Sequence, residues 1–285
     1  MINFDEIVQL IIARGYKAEI REVVKDGMTR EAISICKSDA NTAPVIYLDT
    51  FDFGKFESMD AIIDELIRIA NEHALEGNLN LDFMYDWKQV KSKLYVCMGY
   101  SRNFTKGVYT RPYLSDIVQY LRIKLEGLGG NENMVGSIVV SDDLARLWRE
   151  ENEISVDDIF AAAAENSKDS YTITDLRALF GGDAMEVLSA EMLILSNDVK
   201  NYGASAMTCT ELLNEVSDYF GGIDFYIVPS STHEVLAIRP RDEVNAEGLR
   251  KMVQTVNDTE LTQKELLSYS VFFYERASET VKQAG

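Results

Sequence analysis

The sequence predicts an α+β fold, with mixed or antiparallel sheets and helices packed on them, in two closely associated lobes. Three observations lead there. Alternating apolar–polar runs of strand length, bracketed by turn residues, occur in both halves of the chain. Amphipathic segments with helical spacing stand between them. The two kinds of segment follow one another without the uniform strand–helix–strand cadence of a doubly wound sheet. The chain has 285 residues, 46% of them hydrophobic and 26% charged, which suits a globular protein with a sizeable core.

In chain order, Asn3 is placed to cap a first helix with Glu6 reaching back. Phe4, Ile7, Val8 and Ile11 share its inner face, and Gly15 stops it. The runs "YKAEIREVV" and "EAISICK" flank Lys25-Asp26-Gly27, where Asp-Gly between alternating runs signals a hairpin. "PVIYLD" reads as a third, central strand. Ser58 opens an amphipathic helix with Ile62, Ile63, Leu66, Ile69 and Ala70 inward. His73 falls on that face as a core or boundary residue, since nothing near it offers a second ligand at helical spacing.

"DWKQV" predicts a short helix and "KLYVCM" a strand, and the segment from Tyr113 to about Leu125 is expected to be helical. "EGLGGNEN", with three glycines and two asparagines, marks the lobe boundary, giving residues 1–130 and 131–285. "GSIVV" follows as a strand. Ser141 caps a helix carrying Leu144 and Trp148, and Ser155 with Asp158 caps another.

"EMLILS" is a strand, and Thr208 with Glu211 forms a capping box for a helix ended by Gly221-Gly222. "IDFYIV" and "EVLAIRP" form a hairpin, the first strand ending at Pro229. A helix with Leu249, Met252, Val253 and Val256 inward comes next. Thr262 and Glu265 cap a further short helix, and "YSVFFYE" closes as a strand.

The formal charge is -19, which repels nucleic-acid phosphate and anionic membrane, and no run of lysine and arginine offers a local exception. Direct nucleic-acid or membrane binding is therefore not expected. The negative field favours a basic or nucleic-acid-binding protein as partner. Cys36, Cys97 and Cys209 are scattered, with no Cys-x-x-Cys pair, so neither a disulfide framework nor a zinc site is predicted. Cys36 and Cys97 read as buried, inert thiols. "MINFDEIVQLIIARGY" lacks the basic start of a signal peptide, and no apolar run approaches ~20 residues. A cytoplasmic location is expected.

No glycine-rich phosphate loop, His-Glu-x-x-His or Gly-x-Ser-x-Gly pattern is present. No catalytic, cofactor or metal residue is therefore assigned. The candidate binding loop is Ser230, Ser231, His233 and Glu234, within "DFYIVPSSTHEVLAIRP", together with Asn197 after the "EMLILS" strand. Adjacent residues of an extended segment point to opposite faces, so Glu234 is badly placed to orient the His233 imidazole. The loop reads as a polar turn or ligand contact, with a serine hydrolase using Ser230 or Ser231 and His233 as the alternative. If the two strands are adjacent, Asn197 and the Ser230 loop share one edge, which suits a small-ligand binder.

The stretches "LILSNDVKNYGASAM", "DFYIVPSSTHEVLAIRP" and "LRKMVQTVNDTELTQKELLSYSVFFYE" resemble an uncharacterised domain-of-unknown-function family of anaerobic Gram-positive gut bacteria and their mobile elements. The matching positions are Asn197, Gly203-Ala204, Pro229 to Glu234 (its Pro-Ser-Ser-x-His-Glu), Met252 to Asn257 and Leu267-Ser268. Tyr269 departs from the pattern, where the family more often has Asp. "SIVVSDDLARLW" and "DDIFAAAAENS" also fit, so the likeness covers most of the chain. The resemblance implies membership and no particular activity. The function expected is that of a non-catalytic cytoplasmic protein acting through macromolecular contact, in its sharpest form an acidic inhibitor of a nucleic-acid-binding defence enzyme.

Overall fold

The computed structural model describes residues 3–25, 28–75, 77–104, 106–127, 135–176, 192–242 and 244–285. It is α+β, and the chain divides into two compact units. Met1–Asp82 with Leu125–Gly136 form the first, and Phe83–Lys124 with Ser137–Gly285 the second. Most of residues 83–130 thus fall in the second unit, not in an N-terminal lobe ending at 130. The reason is burial: Met98 and Ile117 belong to the same core as Leu195, Ile227 and Phe272.

In the first unit, helix α1 (Phe4–Ala13) is capped by Asn3, whose side chain accepts from the N–H groups of Asp5 and Glu6. Gly15 turns the chain at φ +88°, a conformation that costs glycine nothing. Strands β1 (Tyr16–Lys25) and β2 (Met28–Lys37) pair antiparallel from Tyr16 opposite Lys37 to Lys25 opposite Met28. The predicted Asp26-Gly27 turn lies outside the described residues. Strand β3 (Val45–Tyr47) is an edge, not the centre, because it reaches only Ala32 to Ser34 of β2. Helix α2 (Met59–Glu72), capped by Ser58, lays Ile62, Ile63 and Leu66 on Ile7, Ile11, Ile33 and Ile35. His73 is exposed, since the helix ends one residue earlier and His73 is its C-cap.

The second unit opens with a short helix, α3 (Trp87–Val90), and a four-stranded sheet. Strand β4 (Leu94–Tyr100) pairs antiparallel with β6 (Ile117–Glu126), which pairs in turn with β5 (Thr110–Pro112); β7 (Val135–Val139) lies against β6. The helix expected over 113–125 is therefore strand. Leu114, Ile117, Val118, Leu121 and Leu125 fit a helical stripe, but Ile117, Leu121, Ile123 and Leu125 fit a strand as well. A full ladder with β4 decides between them. Helices α4 (Asp142–Asn152) and α5 (Val156–Lys168) are capped by Ser141 and by the Ser155–Asp158 box.

A six-stranded antiparallel sheet completes the unit. Its strands are β8 (Tyr171–Asp175), β9 (Met192–Asn197), β10 (Phe225–Ser231), β11 (Glu234–Ile238), β12 (Phe272–Glu275) and β13 (Thr280–Gln283), in the order β13-β12-β10-β11-β9-β8. Leu195, Phe225, Ile227, Val235 and Tyr274 pack on one side against α6 (Thr210–Tyr219) and the 3-10 turn Gly203–Thr208. Helix α7 (Ala246–Thr259) covers Val228 and Ile238 on the other through Leu249 and Val253.

Three local expectations change here. Thr208 donates to the carbonyl of Ser205 and so belongs to the 3-10 turn, while Glu211 pairs with Lys168; the helix starts at Thr210 without a side-chain cap. Met252 and Val256 are exposed, because the buried stripe of α7 runs Leu249, Val253, Asn257. Thr262 and Glu265 do hydrogen bond to each other, but they close a turn with no helix after it. No helix among the described residues is long and apolar enough to cross a membrane.

Candidate functional site

Pairing of β11 with β9 sets Val235 opposite Leu195, which brings the 231–234 turn beside residues 196–203. The adjacency of Asn197 and the Ser230 loop is therefore real. Strand β10 does not stop at Pro229: it runs to Ser231 with a register shift between the two. Proline is tolerated there because the ladder with β12 covers only Phe225 to Ile227, leaving no donor required on that side.

The turn is stitched chiefly through backbone groups. Ser231 Oγ accepts from the N–H of His233 at 3.0 Å, and Ser196 Oγ donates to the carbonyl of His233 at 2.8 Å. The N–H of Thr232 donates to the carbonyl of Glu265, and that of Ala204 to the carbonyl of Thr232. Asn197 closes its own loop, donating from Nδ2 to the carbonyl of Asn201 and accepting at Oδ1 from its N–H. Ser230 Oγ donates to Glu234 Oε1 at 3.4 Å, a long contact.

His233 Nδ1 accepts from the backbone N–H of Tyr202 at 3.1 Å. That bond uses the Nδ1 lone pair and places the ring proton of the neutral imidazole on Nε2. Neither ring nitrogen is bonded to a serine or a carboxylate among the described residues, so the turn has no base aimed at a hydroxyl. Tyr202 itself sits at φ +56°, a left-handed conformation held by this contact and by its neighbours. Gly203 follows because there is no space for more: a Cβ there would lie 2.5 Å from the Asn197 nitrogen and from Ser196 Oγ.

Tyr202 connects the turn to the four-stranded sheet. Its ring is 5.5 Å from that of His233 and 6.5 Å from that of Tyr120, with the Arg122 guanidinium 4.7 Å from its centroid. Arg122 Nε donates to Ser137 Oγ at 2.8 Å. Burial works against the Arg122 charge, but Tyr202, Tyr120 and Tyr95 favour it and the net effect is upward. Burial likewise raises the phenols of Tyr120 and Tyr95. These residues carry no sequence signal, since β6 reads equally as a helix and Tyr202 stands in a loop.

Burial pushes the Cys97 thiol up to about 12, so it stays protonated and unreactive at neutral pH. Cys36 is only partly buried, contrary to the expectation for it. An aromatic disulfide reagent at pH 8 is expected to modify Cys97 only after unfolding; labelling of Cys97 in the folded protein at the rate of Cys209, read by mass spectrometry, would contradict this.

A second polar cluster lies around Leu267-Ser268. Ser268, fully buried, donates from Oγ to Asp116 Oδ1, and the N–H of Tyr269 donates to Asp116 Oδ2 at 3.2 Å. Ser268 Oγ accepts from the N–H of Ser270, the Ser270 and Ser115 hydroxyls share a hydrogen bond, and Asn257 Nδ2 donates to the carbonyl of Ser268. Tyr269, where the resemblance leads one to expect Asp, donates from its hydroxyl to Asp258. The cluster contains no imidazole and fastens residues 268–270 to the turn before β6. Among the described residues no group of three histidines, cysteines or acids could hold a metal ion.

A family model described as a family of unknown function, DUF5688, matches residues 2–276. No curated protein and no solved structure matches the chain.

Proposed function

This chain belongs to DUF5688, a family of unknown function, and from its own charge and geometry we propose a non-catalytic role: it acts in the cytoplasm by contacting a basic macromolecular partner. The observation that carries this reading is the charge of -19. Surface carboxylates such as Glu150, Glu151 and Glu153 are exposed and have no ion pair among the described residues. A field of that sign accelerates encounter with a cationic surface and repels nucleic acid. In its sharpest form the partner is a nucleic-acid-binding defence enzyme, whose phosphate-binding groove carboxylates would occupy.

The turn at Ser230 to Glu234 supports the same reading, because its hydroxyls and imidazole are engaged in holding loops together. The experiment is capture of partners on the immobilised protein followed by a salt gradient. A basic protein should elute as ionic strength screens the contact, and should bind at least ~5-fold more weakly to the triple variant Glu150→Lys, Glu151→Lys, Glu153→Lys. Binding unchanged by salt and by the triple variant would sink the proposal. So would labelling by a fluorophosphonate that disappears in His233→Ala, which would favour the hydrolase using Ser230 or Ser231.

A further inference from the structure

We propose that Arg122 anchors a binding site for a small ligand bearing an oxyanion, a carboxylate or a phosphate. The register of β4 and β6 sets Tyr95 opposite Arg122 and Cys97 opposite Tyr120, so these four side chains share one face of the four-stranded sheet. Ser137 from β7 orients the guanidinium through Nε, and Tyr202 supplies an aromatic ring beside it. None of these neighbours is a carboxylate.

Other half-buried arginines have acceptors of their own, and Arg250 donates to the carbonyl oxygens of Ala284 and Gly285. Arg14, Arg30, Arg111 and Arg276 are also partly buried, and each has a carboxylate within ion-pair distance. Arg122 has none among the described residues, although burial opposes its charge. Withdrawing a cation from water is costly unless an anion or a full set of acceptors replaces the solvent. A ring face and hydroxyl groups compensate in part. The fork of a guanidinium carries five N–H donors; Nε is tied to Ser137 and the Tyr95 and Tyr120 hydroxyls also bond to Arg122, which leaves two donors for an oxyanion. The site is therefore built for an anion that no described residue provides.

The test is a titration of the full chain with inorganic phosphate and, separately, acetate, with sodium chloride adjusted to constant ionic strength. Thermal midpoint and the Arg Nε–H signals in a nitrogen–proton spectrum are read together. A saturable rise in midpoint with phosphate alone assigns a phosphate ligand, and a rise with acetate as well assigns a carboxylate. Either supports the site, provided Arg122→Gln weakens the response by roughly tenfold or more, as loss of a charge-assisted pair of bonds predicts. Arg146→Gln, which removes an exposed cation paired with Asp143, should leave it unchanged. If Arg122→Gln does not fold, the wild-type Nε–H signal missing from Arg122→Lys must move during the titration. No saturable response, a stationary signal, or an equal response in Arg122→Gln (an adventitious ion only) overturns the proposal.

Discussion

Gly203→Ala is expected to destabilise the second unit by ~3 kcal/mol, at the upper end of what overpacking costs in a filled core. The added Cβ would stand 2.5 Å from the Asn197 nitrogen and Ser196 Oγ, and 2.8 Å from the carbonyl oxygen of His233. Two of these three atoms are backbone, and both belong to strands or turns fixed by their own hydrogen bonds, so none can retreat cheaply. Relief requires pushing the 3-10 turn away from β9 and β11, which would lengthen the Tyr202 to His233 bond. Urea unfolding would show the midpoint falling at unchanged slope. A change within ~0.5 kcal/mol, the range of ordinary surface substitutions, would mean that the approach is looser than described.

Asp116→Ala should cost about 2–4 kcal/mol, because one carboxylate satisfies both the buried Ser268 hydroxyl and the N–H of Tyr269. Removing it leaves two donors near the core without an acceptor, the kind of change that produces the larger single-site losses. Asp116→Asn keeps an oxygen for one of them and should lose less. Amide exchange at Tyr269 offers a local readout, since its protection should fall in the alanine variant more than that of β9. Equal stability of the alanine and asparagine variants would show that the cluster is solvated and not a fastening.

Much of this fold was legible in the residues themselves. Short-range signals with one physical meaning held: Asn3, Ser58, Ser141 and Ser155 cap helices, and "IDFYIV" pairs with "EVLAIRP". Failures came where two periods fit the same letters or where a partner outside the window decides. The stretch 114–125 supports either stripe until β4 is present to hydrogen bond with it. The inward face of α7 turned by one position because Asn257, a polar residue, is buried to meet the Ser268 carbonyl. At the candidate site, the adjacency of Asn197 and the turn followed from strand order, which the sequence left open as a condition. Arg122 and Tyr202 could not be found this way: they meet only because two sheets and a 3-10 turn converge.

The stretch 262–270 has no regular structure of its own, yet its bonds reach Asn103, Asp116 and Thr232. The contacts with Asn103 and Asp116 span 160 and 152 residues of chain. Loops of that size close slowly, since the entropy is lost before any contact repays it. During synthesis the β4–β6 sheet therefore has to wait, with its Met98 and Ile117 side chains lacking their final neighbours, until these late residues have left the ribosome. Until then the apolar surface of those side chains is open to proteases and to other chains.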